Sequence, residues 1–222
     1  MYPMPQNITK ISSCLAIATL PTIGLSLSAS AATITYTDRS TFLNNISATY
    51  LETFNSLTTA SNPQSFANNG FGYAVSATGG LNVDTDTAGS RFLGANTAGA
   101  NIVVNFANNN ITAVGGFFFS SDLSNNFTAD AIQLTLNNGS RIDIAPSATK
   151  SFRGFATDDG SRITSLTFAG GSSQFNTFGG FDDFYVGTAN IAPTPVPEPS
   201  QILTYIILGS LIIWKKATRH QQ

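Results

Sequence analysis

Cysteine, histidine and tryptophan are almost missing from this 222-residue chain: each occurs once, as Cys14, His220 and Trp214, and all three lie near its ends. The long stretch between them has no thiol and no imidazole. That excludes a disulfide framework, Cys/His zinc sites and any Ser-His or Cys-His nucleophile pair. Most ordinary hydrolase chemistry goes with them. Charge is scarce as well, at 10% of residues. All twelve acidic residues fall between Asp38 and Glu198, against only six basic ones in the same region. Such an acidic body argues against nucleic-acid binding, which depends on Lys and Arg neutralising phosphates. Cations are its more natural partners.

Long apolar runs are confined to the two ends. Lys10 is followed by an apolar stretch from Ile11 to Leu27, then by Ala29-Ser30-Ala31, the A-x-A arrangement that signal peptidase accepts. Residues 1–32 are therefore expected to be a cleaved signal peptide; Pro21 and the serines weaken the alternative of an uncleaved anchor. Ile11-Ser12-Ser13-Cys14 loosely imitates a lipoprotein box but has no apolar run before it. At the other end, Ile202 to Trp214 covers about 20 Å as a helix, short of the roughly 30 Å hydrocarbon core. Lys215 and Lys216 can reach outward to extend a thin span, and Trp214 sits where interfacial aromatics sit. Unlike a buried C-terminal helix, the run is apolar on all sides, and the Pro-rich lead-in IAPTPVPEP sets it off as a stiff extended spacer. The division expected is 33–190 for the globular body, 191–200 for the linker and 201–222 for a transmembrane segment with a basic tail.

Val196-Pro197-Glu198-Pro199-Ser200, one hydrophobic segment and a Lys/Arg-rich end resemble the PEP-CTERM sorting signal of Gram-negative bacteria. The resemblance covers roughly the last 27 residues. It implies Pro197, Glu198 and Pro199 as the sorting motif and Lys215, Lys216 and Arg219 as the membrane stop. It also implies processing by exosortase, an integral membrane enzyme that cuts near the Pro-Glu-Pro element, after signal peptidase has acted. The precursor is then anchored in the inner membrane with its body outside, and the mature form sits at the cell surface or in the extracellular matrix. The tail departs from the family's usual pattern in being Ile-rich and in using lysines.

The body itself reads as strands. Ile132, Leu134 and Leu136 alternate with polar residues, Asn137-Asn138-Gly139-Ser140 intervenes, and Ile142 and Ile144 resume the alternation, which predicts a hairpin with an Asn-Gly turn. TITYT, YLETF, GYAVSA, NIVVNF, ITAVGGFFFSS, SFRGFAT, ITSLTFAG and FDDFYVG repeat the theme between Gly, Asn, Asp and Ser clusters. Ten or so such strands predict a mainly β, antiparallel, jelly-roll-like sandwich. One short helix is expected where Asp38 caps DRSTFLNNI, with Phe42 and Ile46 on one face. Most of the 17 phenylalanines fall at strand positions and read as core, with one ring of Phe117-Phe118-Phe119 as a candidate for exposure. The loose pattern also resembles the extracellular β-sandwich domains found ahead of PEP-CTERM tails, which implies architecture more than activity.

Three carboxylates stand out as candidate ligands. Glu52 on an early strand and Asp182 and Asp183 near the last one resemble, at those positions only, carbohydrate-binding jelly rolls that hold a structural calcium. Strand alternation sends Asp182 and Asp183 to opposite faces, so only one would reach such an ion by its side chain. Asp84-Thr85-Asp86 with Gly89 echoes an EF-hand opening, but Ala88 and Ala95 stand where ligands are needed, so that reading fails. Asp158-Asp159-Gly160 reads as a turn.

Catalysis is not expected. Glycoside hydrolysis needs two carboxylates across a cleft, and no local motif nominates a partner for Glu52. Glycan binding, with exopolysaccharide as the partner, fits the location and fold better, although the body offers only Tyr36, Tyr50, Tyr73 and Tyr185 for the usual Trp or Tyr stacking. The expectation is thus an exported, non-enzymatic sandwich sorted by its PEP-CTERM tail to the cell surface or exopolysaccharide matrix, with glycan binding as its candidate role. A weak glycan-active enzyme and a permanently anchored periplasmic domain are the alternatives.

Overall fold

The computed structural model describes residues 32–190. The signal segment, the Pro197-Glu198-Pro199 element, the apolar run and Lys215, Lys216 and Arg219 lie outside the described residues. Among the described residues no helix is long and apolar enough to cross a membrane.

In chain order the strands are β1 (Thr33–Tyr36), β2 (Ile46–Glu52), β3 (Gln64–Asn68), β4 (Phe71–Ala77), β5 (Leu81–Thr85), β6 (Arg91–Ala95), β7 (Ile102–Phe106) and β8 (Ala113–Ser121). They continue as β9 (Phe127–Thr128), β10 (Ile132–Leu136), β11 (Arg141–Ile144), β12 (Ser151–Thr157), β13 (Ser165–Ala169), β14 (Gly171–Ser172) and β15 (Thr177–Ala189), and the one helix among the described residues, α1, spans Arg39–Asn44. Two antiparallel sheets result. The first runs β1-β12-β8-β15-β6-β5 and the second β11-β10-β13-β7-β4-β3. Strand β15 is long enough to carry β8 along one edge and β14, β6 and β2 in succession along the other.

Period-two patterning explains which residues go inside. Leu93, Val114, Phe118, Phe155, Phe181 and Val186 from the first sheet meet Val75, Ile102, Val104, Leu134, Leu166 and Phe168 from the second, all nearly free of solvent. Edge-to-face aromatic pairs tie the layers, such as Phe118 with Phe168 at 5.5 Å and Tyr73 with Phe184 at 5.3 Å. The expected sandwich is present, and most phenylalanines are core as expected. Of the Phe117-Phe118-Phe119 triplet none is exposed; Phe117 is half-buried and the other two are buried.

The hairpin expected at Asn137–Ser140 forms, with Ile132 opposite Ile144 and Leu134 opposite Ile142. Its turn is a three-residue loop: Gly139 N–H donates to Leu136 O, Leu136 N–H donates to Ser140 O, and Gly139 takes φ +85. A positive φ at that position is why glycine stands there. The rejected EF-hand segment is the same device. Gly89 N–H donates to Asp86 O, Asp86 N–H donates to Ser90 O, and Gly89 sits at φ +85.

Helix α1 starts where Asp38 accepts from Thr41 N–H at 2.7 Å, as its N-cap position predicts. The Ser40 hydroxyl, the Thr41 N–H and the Thr41 hydroxyl together hold the Asp38 carboxyl down at about 2. The helix is shorter than the pattern suggests, because Ile46 already belongs to β2. Phe42 nonetheless buries completely on the outer face of the first sheet, beside Tyr36, Phe152 and Tyr185. Glycine makes room for it: a Cβ at Gly154 would stand 2.7 Å from the Phe42 ring, and one at Gly115 3.1 Å.

Candidate functional site

The outer face of the first sheet carries the ion pairs of Lys150 and Arg39 and a concavity, another lying along β10, β11 and β13 of the second sheet. On β15 the register against β8 slips between Asp182 and Tyr185, a bulge, and Asp183 takes φ +46 there. The bulge overrides strict alternation, so the expectation that Asp182 and Asp183 part to opposite faces fails. Asp182 meets Lys150, whose ammonium lies 5.6 Å over the Phe119 ring and 5.9 Å over that of Phe127. Asp183 lies 3.7 Å from the Arg39 guanidinium, which sits over Phe117 and Tyr185.

Lys150 is clamped between two buried carboxylates, Asp182 at 2.6 Å and Asp86 at 2.7 Å. The Ser90 hydroxyl also donates to Asp182, and the N–H groups of Ala88 and Ser90 donate to Asp86. Burial alone would push the Asp86 carboxyl up, but hydrogen bonds from Lys150 and Ser90 outweigh it and hold it below its ordinary value. Burial would likewise lower the Lys150 ammonium, yet Asp182 and Asp86 raise it. The Asp183 carboxyl is pushed up, first by burial and then by the neighbouring Asp182, with Arg39 opposing.

Glu52 is engaged elsewhere. One of its oxygens accepts from the Tyr50 hydroxyl at 2.5 Å and the other from Phe54 N–H at 2.9 Å. Among the described residues no group of three or more His, Cys, Asp or Glu side chains is placed to hold a metal ion. Glu52, Asp182 and Asp183 therefore do not form the ligand set that the calcium expectation required: a lysine ammonium occupies the place beside Asp182 that a cation would take.

Next to the Lys150 clamp lies a groove of about 140 Å³. Gly94 and Gly179 contribute to its lining, the half-buried Phe178 gives it aromatic surface over the buried Phe92, and Leu123, 73% exposed, stands at its rim. Asn82 and Asp84 come from β5, Asn96 follows β6, and Ser121, Asp122 and Asn125 come from the end of β8 and the loop after it. That loop is held rigidly. Asp122 accepts from Ser124 N–H at 2.8 Å and Asn126 N–H at 3.0 Å, and Asn125 takes φ +61. The Asn125 amide then donates across the groove to Asp84 at 2.6 Å, and Asn82 donates to the other Asp84 oxygen at 3.2 Å. Hydrogen bonds from the Asn126 N–H and amide, and from Ser124, hold the Asp122 carboxyl below its ordinary value. The groove is thus a preformed concave surface of amides, carboxylates and a hydroxyl around partly apolar walls.

Of the groove residues only Asp84 falls in a sequence pattern, the EF-hand-like opening that fails, because the lining comes from four separate stretches that only the sheet pairing assembles. Lys150 did carry a signal: it is the one lysine between Lys10 and Lys215, in a body whose other cations are arginines.

No protein-family model matches the chain, and no curated protein matches it. Among solved structures it is similar to an exo-β-1,3-galactanase from Phanerochaete chrysosporium, crystallised with β-1,3-galactotriose, at 18% identity and a TM-score of 0.30. The same enzyme with galactose gives 16% identity and the same TM-score, and each match covers 57% of this chain. A family 11 carbohydrate-binding module from Clostridium thermocellum, in complex with a β-1,3-1,4-mixed-linked tetrasaccharide, is similar at 12% identity and a TM-score of 0.33, covering 65% of this chain and 98% of the module. The chain spans only 29% of the length of the galactanase.

Proposed function

We propose that this chain is an exported, non-enzymatic β-sandwich that binds glycan of the cell surface or exopolysaccharide matrix, to which a PEP-CTERM tail directs it. The observation that carries the binding role is the groove bordered by β5, β6 and the loop after β8. Sugars offer hydroxyls that donate and accept at once together with an apolar C–H face, and the groove answers with Asp84, Asn82 and Asn96 beside Phe178. The Asn125–Asp84 bond holds its wall in place before any ligand arrives, which reduces the ordering a ligand must impose. The non-catalytic role is read from Glu52, the carboxylate that the sequence offers for catalysis, which is not among the residues lining the groove.

Binding of the full-length chain to a glycan array, beside its Asn96→Trp variant, tests the role. Asn96 is exposed at the groove, so an indole there fills it without touching the core. Loss of array binding in the variant supports the reading, and unchanged binding overturns it. Sorting is tested separately by mass spectrometry of the protein from its native cell. A mature C-terminus near Pro199 supports it; an intact Gln222 favours permanent anchoring.

A further inference from the structure

The groove's electrostatics point to the kind of glycan, an inference that rests on the binding role proposed above. Its charged lining is Asp84 and Asp122, with no Lys, Arg or His among the lining residues. Asp122 is kept ionised by the N–H groups and amide around it. The nearby cation is Lys150, reached through Phe92 and Phe119, whose rings meet at 4.9 Å. It brings no positive field to the groove, because one ammonium shared by Asp86 and Asp182 leaves that cluster with a net negative charge. The two carboxylates of the lining and the Lys150 cluster behind them therefore carry the same sign.

We infer that the groove takes an uncharged hexosyl unit and rejects the acidic sugars that many matrix polysaccharides contain. A uronate or sulfate placed there loses its water and faces two carboxylates with no cation to answer it. A neutral sugar hydroxyl meets the opposite situation. It donates to Asp84 or Asp122, whose oxygens hold lone pairs beyond those their amide partners use, and it accepts from the second N–H of Asn82 or Asn125. Discrimination resides in the carboxylates, whereas affinity resides in the whole lining, so the two separate experimentally.

The test uses the full-length chain at low ionic strength with pairs of oligosaccharides that differ only in carrying CH₂OH or carboxylate at C6. Neutral members are expected to bind at least about tenfold more tightly than their uronic counterparts. In the Asp84→Asn/Asp122→Asn variant the ratio between neutral and uronic affinities falls to about threefold or less, even where neutral binding itself weakens, since the charge is removed while asparagine keeps a carbonyl acceptor for Asn125, Ser124 and Asn126. Uronic members binding as tightly as neutral ones, or a gap that survives the double substitution, overturns the inference and leaves the glycan-binding role standing. Failure of every pair to bind overturns that role and the inference together.

Discussion

The ammonium of Lys150 lies 2.6 Å from Oδ2 of Asp182, and through that contact the segment before β12 is tied to the middle of β15. Asp86 completes the clamp at 2.7 Å and adds the tip of the β5–β6 hairpin. With side-chain exposures of 21% for Lys150, 3% for Asp86 and 4% for Asp182, this is a largely desolvated group. A buried pair stabilises little against an apolar substitute, but breaking one side is severe. Lys150→Met strands two buried carboxylates and is expected to lower stability by about 3 kcal/mol in urea unfolding. Adding Asp86→Asn and Asp182→Asn to it recovers most of that loss. A fully additive triple variant would show that the three groups are not coupled.

The same clamp contributes to both pH limits of stability. The folded-state pKa of Asp86 lies below its ordinary 3.8, so its contribution is complete above that value and drains away as pH falls through the depressed folded value. Lys150 is raised above 10.5, so its contribution is complete below 10.5 and is lost as pH rises through the raised value. Thermal unfolding across the pH range is expected to show a plateau between these limits. Lys150→Met flattens the alkaline limb; an unaltered alkaline limb in that variant would assign it to another group.

Asp183 works against the fold at neutral pH. Its pKa is raised above 3.8 by burial and by Asp182, so its ionised form costs stability; the cost is absent below 3.8 and complete above the raised folded value. Asp183→Asn is therefore expected to stabilise by ~0.5 kcal/mol at pH 7, a small figure because Asp183 is partly exposed and the Arg39 contact is lost. The gain vanishes in acid below the ordinary carboxyl range. Asn also tolerates φ +46, whereas Asp183→Val pays for a β-branched residue at a left-handed position and is expected to lose about 1–2 kcal/mol at every pH. Comparing urea midpoints of the two variants at pH 3 and pH 7 separates charge from backbone.

The bulge at Asp183 also shows where sequence patterning stops. Strands with strong alternation, such as β7, β10 and β13, are legible because each residue's face follows from its position, and β8 is legible by its long apolar and aromatic run instead. The weaker β3, β5 and β6 are not, since Gln64–Asn68 and Leu81–Thr85 each bury only one residue and Arg91–Ala95 buries nearly all of its own. They become strands by pairing with neighbours rather than by their own period. The groove depends on two of these, β5 and β6, together with the Asp122–Asn126 loop, so the site was hidden for the same reason. A one-residue slip in β15 likewise leaves no mark in FDDFYVG, although it decides which cation each aspartate meets.

Tyr50 and Tyr73 form a natural control pair between the sheets, with rings 6.1 Å apart and hydroxyls in opposite circumstances. The Tyr50 hydroxyl donates to Glu52 at 2.5 Å, while the Tyr73 hydroxyl is buried with no hydrogen-bond partner. Burial, then Tyr50 and Glu52, push the Tyr73 hydroxyl pKa well up, so it stays protonated and the unmet group is a neutral donor. Removing a donor from a charged acceptor costs more than removing an orphan. Tyr50→Phe is expected to destabilise by about 2 kcal/mol, and Tyr73→Phe to stabilise by about 1 kcal/mol, since the ring's contacts with Phe66 and Phe184 remain. In a domain of this size the second change raises Tm by roughly 2–4 °C. A drop in Tm for Tyr73→Phe matching that for Tyr50→Phe would mean that the Tyr73 hydroxyl has a partner in solution, with an ordered water bridging to Glu52 the most economical one.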